Sequence, residues 1–193
     1  MRAFRTVKGG RLVFHSNTEQ LIEYWRGRRI GPMAPARASI DPSEFIQVLP
    51  QIFILGRRSF GDYAFRLTGD LLSQLHGRDL REEALLDLWR REDRRPLQMA
   101  LETVRRRVEP LIVDCDAWPG DGLPVRIELM MAPLTGASGD IDRMIGLYQP
   151  LSPTAVLMNR KIHSLSIRSL ILGGAGEGLP HLRLAAVNGR RIA

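Results

Sequence analysis

"FGDYAFRLTGDLLSQLHGRDL", residues 60–80, is the stretch on which the reading of this chain turns. Gly69 and Gly77 stand eight residues apart, each next to an apolar run and a charged residue. They fit either a phosphate-holding loop or the punctuation between a strand and a short helix. A phosphate loop needs glycine amides that converge on an anion at a helix start, usually with a lysine and a hydroxyl. No lysine and no Ser-Thr pair accompanies these two glycines, and a short helix separates them. Gly69 therefore reads as a turn residue and Gly77 as the C-terminal cap of "DLLSQLH".

Working outward, "QIFILGRR" and "DYAFRLTG" are short, rich in Phe, Ile, Leu and Tyr, and joined by the turn residues of "RSFGD". They predict a hairpin. Upstream, "SNTEQLIEYWRGRRIG" opens with the capping-box pair Ser16 and Glu19 and sets Leu21, Ile22 and Trp25 at helical spacing. "PMAPARASIDP" reads as a linker, after which Asp41 and Pro42 open a second short helix. Downstream, Leu85, Leu86 and Trp89 mark another short helix. Pro96 begins the longest one, over residues 96–108, with Leu97, Ala100, Leu101, Val104 and Val108 on one stripe.

Three strands follow, separated by "PGDG" and "TGASGD". In the middle strand Val125, Ile127, Leu129 and Met131 alternate with Arg126, Glu128 and Met130, the pattern of a sheet with one covered face. Two strands, several helices, then three strands predict an α+β fold: a five-stranded antiparallel sheet with short helices on one face. A doubly wound parallel sheet would need a helix in each connection, and none fits into "PGDG".

The chain has 193 residues, 44% of them hydrophobic, enough for one ordinary core. The expected organisation is an N-terminal extension with an amphipathic helix (1–35), a domain (36–151) and a basic, partly flexible C-terminal tail (152–193). The single cysteine, Cys115, excludes an internal disulfide and a Cys-rich zinc site. The basic start lacks an apolar core for a leader, and no window reaches the roughly 18 apolar residues of a spanning helix, so a cytoplasmic protein is expected. Of the net charge of +7, residues 1–35 carry +5, residues 151–193 carry +5, and residues 36–150 carry −3. The basic character belongs to the ends, which could draw RNA or an anionic membrane surface, while the central part offers no basic face to nucleic acid.

The series "YWRGRR", "IDPSEF", "LPQIFIL", "YAFRLTGDLL", "HGRDL", "LLDLW" and "APLTGASGDIDRMIGLY" resembles the bacterial single-domain PAS proteins of the MopJ type, from about Tyr24 to about Leu151. Trp25, Asp41-Pro42, Leu49-Pro50, Arg66, Gly69 and Gly77-Arg78-Asp79-Leu80 carry the resemblance as a set. The family pattern has a threonine after the second strand's glycine and a further glycine after "GRDL"; this chain has Asp70 and Arg81 there. The resemblance implies a PAS fold, assembly into dimers, and a role in sensing or docking rather than chemistry.

The chemistry-bearing residues give little else. His15, His76, His163 and His181 have no metal-ligand spacing, so no metal is expected. The longest helix holds no histidine for a haem, and the cysteine motif of flavin-binding light sensors is missing, so neither cofactor is expected. His76 either faces a cavity or is a satisfied core histidine. Arg66 and Asp79 read as structural, either solvated or paired with each other. "RRED" at 90–93 matches an Arg-x-x-Asp spacing of cyclic dinucleotide sites but occurs readily by chance. "GGAGEG" at 173–178 has Leu179 where a dinucleotide motif needs its third glycine, and reads as flexible tail.

Phe53, Leu55, Phe65, Leu67, Val125, Ile127, Leu129 and Met131 are candidates for the sheet's inner face, as a filled core or as a ligand cavity. Leu21, Ile22 and Trp25 form a stripe ahead of the domain that a second copy or another protein would cover. The leading expectation is a non-enzymatic homodimeric module that docks signalling proteins such as histidine kinases, which could gather it at a cell pole. The alternatives are a sensor of an apolar metabolite or nucleotide messenger, and an RNA or membrane-surface binder acting through the basic tails.

Overall fold

The computed structural model describes residues 7–8, 11–120, 122–152, 160–173, 184–187 and 190–191. In chain order these form β1 (Val7–Lys8), β2 (Arg11–Leu12), α1 (Ser16–Gly27), a 3₁₀ turn (Arg37–Ser39) and a 3₁₀ segment (Pro42–Gln51). Then come β3 (Ile52–Ser59), β4 (Asp62–Thr68), α2 (Asp70–His76), a 3₁₀ turn (Leu85–Leu88) and α3 (Arg91–Arg107). Strands β5 (Leu111–Pro119), β6 (Val125–Thr135), β7 (Ile141–Pro150), β8 (Ile162–Leu172), β9 (Leu184–Val187) and β10 (Arg190–Arg191) complete them.

The predicted hairpin is β3 with β4, closed at Phe60-Gly61, where Gly61 takes a φ of 59°. The five expected strands are β3 to β7, all antiparallel, in one sheet of order β10-β9-β8-β5-β6-β7-β3-β4. The fold class holds and the strand count does not. "IHSLSIRSLIL", expected in a tail beyond residue 151, is the eleven-residue strand β8, paired with β5 from Leu111↔Leu172 to Pro119↔Ile162. Strand β5 is therefore an interior strand, and the sheet continues past residue 151. Nearly the whole "GGAGEG" stretch, from Gly174 on, lies outside the described residues, as does His181.

The cover on the inner face comes from α2, the 85–88 turn and α3. Their Leu72, Leu75, Leu85, Leu88, Leu97, Leu101 and Val104 pack with Phe53, Leu55, Phe65, Leu111, Val113 and Cys115 in one cluster. The longest helix starts five residues before Pro96 and runs to Arg107. The Arg-x-x-Asp spacing lies at this start and is structural. The Asp93 carboxylate accepts the Ile167 amide of β8 at 3.0 Å, the Arg90 amide bonds the Leu165 carbonyl, and the Arg90 guanidinium lies over the Trp118 ring.

The other face is covered too, which corrects the expectation of helices on one side. Leu21, Ile22 and Trp25 of α1 are buried with Ile52, Ile54, Ile112, Met130, Ala132, Leu134, Ile145 and Leu147 of the sheet. Trp25 has no exposed surface, and its Nε1 donates to the Pro133 carbonyl at 2.8 Å. Burial of such side chains stabilises by on the order of 1.5–3 kcal/mol each. The stripe read as a dimer surface is thus the seam between α1 and its own sheet. His15, rather than Ser16, is the helix N-cap, its Nδ1 accepting the Asn17 amide at 3.2 Å. The Glu128 carboxylate on β6 accepts the His15 amide at 3.0 Å and ties this end of α1 to the sheet. Beyond the helix this outer face turns polar, with the ion pairs Asp114–Arg126 and Asp116–Arg168.

Candidate functional site

The inner face is built by alternation along β3 and β6. Phe53, Leu55, Val125, Ile127, Leu129 and Met131 lie there, buried, as does Phe65 of β4. Leu67 does not. The β3–β4 register slips between Ile54↔Leu67 and Leu55↔Phe65, so Arg66 is the extra residue of a bulge, and Leu67 is turned out, 44% exposed. Of the two readings of Arg66 and Asp79, their pairing with each other is not found: Arg66 pairs with Glu82 at 2.6 Å and Asp79 with Arg81 at 2.6 Å, while Arg78 takes Glu83. Three local pairs tie the 78–83 turn to itself and to β4. Gly69 and Gly77 are both structural. Gly69 precedes α2 with Leu49 and Pro50 carbonyls 2.4 Å from where a Cβ would stand, and Gly77 caps α2 in the left-handed region at φ 65°.

The interior is well filled. The Phe53 ring lies so close over Gly146 that an added Cβ there would meet it at 2.1 Å. Yet several polar atoms lie within this apolar layer. His76 is buried against the edge of Tyr148, ring centroids 5.9 Å apart. Burial pushes the His76 imidazole down to about 4; the Arg78 charge works in the same direction, and the Ile162 backbone works against it. Neither ring nitrogen makes a hydrogen bond of good geometry, and the hydroxyls of Tyr148 and Tyr63 and the indole nitrogen of Trp89 are likewise buried without partners. Burial pushes the Tyr148 phenol well up and the Tyr63 phenol up to about 12. Cys115, wholly buried, has its thiol pushed well up by burial and then by Asp114, and its Sγ reaches the Ile127 carbonyl at 3.5 Å. It packs as a small hydrophobe. Tyr63 and Tyr148 were not singled out by sequence reasoning, and Trp89 was read only as marking a short helix; the one signal was Tyr148 alternating with Met144 on the inward side of β7.

A second site lies on the opposite face. Between α1 and the 42–51 segment is a cleft of about 390 Å³, lined by Asn17, Gln20, Leu21, Tyr24, Phe45, Ile46 and Val48 among others. Asp41, next to the cleft, fixes the start of the segment: its carboxylate accepts the Ser43 amide at 2.9 Å, and its own amide donates to the Tyr24 hydroxyl at 2.8 Å. Tyr24 and Phe45 meet edge to face at 5.3 Å, and Arg28 pairs with Glu44 at 3.5 Å along the rim. Ile46, 64% exposed, stands at the cleft with no such contact. Sequence reasoning found the segment but not the cleft, because the cleft exists only once α1 folds back over the sheet.

The sheet, its inner helical cover and the matched segment define a sensory and interaction domain of signalling proteins. The chain belongs to the PAS domain family, whose model matches residues 13–149. No curated protein matches it significantly. Among solved structures, the chain is similar to a light-oxygen-voltage domain studied with a flavin analogue, at 18% identity and TM-score 0.44, covering 61% of this chain and 89% of that one. It is also similar to the PAS domain of the fruit-fly ELK potassium channel, at 13% identity and TM-score 0.41, covering 54% and 89%. The PAS domain of Bordetella pertussis BvgS shares 19% identity at TM-score 0.39, covering 61% and 92%.

Proposed function

We propose that this PAS domain is a docking module in bacterial signalling: the cleft between α1 and residues 42–51 receives a segment of a regulatory protein, a sensor histidine kinase being the expected kind. The observation that carries this reading is the cleft itself, apolar at its floor, charged at its rim, and edged by an exposed Ile46. PAS domains commonly dimerise, and a homodimer is part of the proposal, formed through a surface other than the buried Leu21, Ile22 and Trp25 stripe. The protein is proposed to work in the cytoplasm, where a partner would concentrate it at a pole. Among the described residues no helix is long and apolar enough to cross a membrane.

The test is a photo-crosslinker at Ile46 in the native host, followed by binding of the captured protein in purified form. Ile46→Asp is expected to weaken that binding at least tenfold, and Leu123→Asp, at an exposed position outside the cleft, to leave it unchanged. Equal binding by both variants would overturn the reading.

A second reading, ligand sensing in the core, rests on a separate observation: His76, Tyr148 and Trp89 carry polar atoms without a hydrogen bond of good geometry inside one apolar layer. Buried polar groups are ordinarily hydrogen-bonded, and a small molecule carrying donors and acceptors would serve them. Native mass spectrometry of protein purified from its host would reveal a retained ligand of fixed mass; bare protein with no thermal shift from candidate messengers would exclude it.

A further inference from the structure

Where β3 and β4 meet the last turns of α3, the inner face stops being apolar. Arg57 follows Phe53 and Leu55 on the same side of β3 and stands directly across the ladder from Tyr63. Above them, Glu102 of α3 is buried and takes hydrogen bonds from Arg105 at 2.6 and 3.1 Å and from Arg106 at 3.1 Å. Those bonds, Arg105 foremost, hold the Glu102 carboxyl down at about 2. Arg106 also lies against the Phe60 ring of the hairpin turn.

The donors in this cluster outnumber its acceptors. Arg57 approaches Glu102 only to 3.9 Å, beyond hydrogen-bond reach, and its Nε is buried without a partner. The Tyr63 hydroxyl, on a side chain with no exposed surface, is also without a partner and lies in the field of Arg105, Glu102, Arg57 and Asp142. Asp142 is not part of the cluster: its Oδ2 pairs with Arg143 at 2.6 Å, and its Oδ1, buried without a hydrogen bond, lies beside Gly136. Three guanidiniums on one carboxylate leave two positive charges. An arginine Nε without an acceptor, across the ladder from a phenol hydroxyl that also lacks one, is a donor pair suited to a multiply charged oxyanion.

We propose that Arg57, Arg105 and the Tyr63 hydroxyl, backed by Glu102, form a binding site for the phosphoryl dianion of a small phosphorylated ligand. Glu102 positions Arg105 and Arg106 and does not touch the anion. Arg57 and Tyr63 supply the donors that now lack an acceptor. The site lies on the face opposite the α1 cleft, so it stands or falls separately from the docking reading.

Calorimetric titration of the full chain at low salt with inorganic phosphate, ribose 5-phosphate and a nucleoside 5′-monophosphate tests it. One saturable site is expected, with sulfate competing, and the ester that binds tighter than inorganic phosphate identifies the ligand's remainder. Arg57→Gln and Tyr63→Phe should each weaken binding by about tenfold, from the loss of a charged hydrogen bond, while Arg107→Gln should not. Tyr63→Phe removes one oxygen, and an unchanged unfolding midpoint shows that its effect is local. No saturable binding of any of the three, or binding that neither variant weakens, would overturn the proposal.

Discussion

His76 shows most directly how burial alone sets a residue's behaviour. Its ring is held to about 4 in the folded chain against an ordinary 6.5. The unfolded chain therefore binds a proton that the folded chain refuses, and stability falls as the pH drops from 6.5 towards 4. The full contribution is present above 6.5. A shift of this size corresponds to about 3 kcal/mol at the low end of the window. His76→Leu should flatten the unfolding free energy between pH 6.5 and 4.5, as read by urea denaturation at stepped pH. Glu102 has the same sign in a lower window: its lowered carboxyl contributes stability above 4.5 that disappears as pH falls towards 2, so the two groups are told apart by the pH range in which each acts. At Gly69 the constraint is space rather than charge. Gly69→Ala would drive a methyl into two backbone carbonyls at 2.4 Å, and a loss of about 1–3 kcal/mol is expected in thermal or chemical unfolding, typical of overpacking.

Among the elements, those written in local signals were legible. The β3–β4 hairpin, α2 with its Gly77 cap, and the Asp41-Pro42 start of the 3₁₀ segment each depend on a few adjacent residues whose chemistry fixes the turn or cap. Elements defined by what lies across from them were not. Along β6 the outward positions change from Arg126 and Glu128 to Met130, Ala132 and Leu134, so only half of that face is covered, and α1 covers it. Averaged over the strand, the alternation hides this change. The bulge at Arg66 could not be seen either, because a register slip leaves no mark on composition. Strand β8 was obscured by its basic and polar residues, Arg168 among them, which lie on the solvated side and pair with Asp116. If β8 is integral, a chain ending at residue 159 should aggregate or lose its cooperative transition, since Leu165, Ile167 and Leu170 would leave the core. A soluble truncated chain with an unchanged midpoint would show that the segment is dispensable.

For the molecule as a whole, the sheet is a two-sided device. One face carries a dense core with a few unpartnered polar groups and an arginine cluster at its end. The other carries α1 and the cleft beside residues 42–51. The lining of the inner face was legible from strand alternation, Leu67 excepted, but the arginine cluster and the α1 cleft were not, because they depend on α1, α3 and the strands converging from distant positions. The proposed dimer is checked by sedimentation at tens of micromolar: a dimer that persists in Leu67→Ala would place the contact away from the exposed β4 edge, and a strict monomer of the unaltered chain would remove dimerisation from the account.

The most direct measurement is hydrogen–deuterium exchange of the chain alone and of the chain saturated with the partner captured at Ile46. Slower exchange at residues 17–24 and 43–48, with the amides of Leu101 to Val104 unaltered, is the predicted result. Slowing confined to the core around His76 and Tyr148, or no slowing at the cleft, would contradict docking on this face.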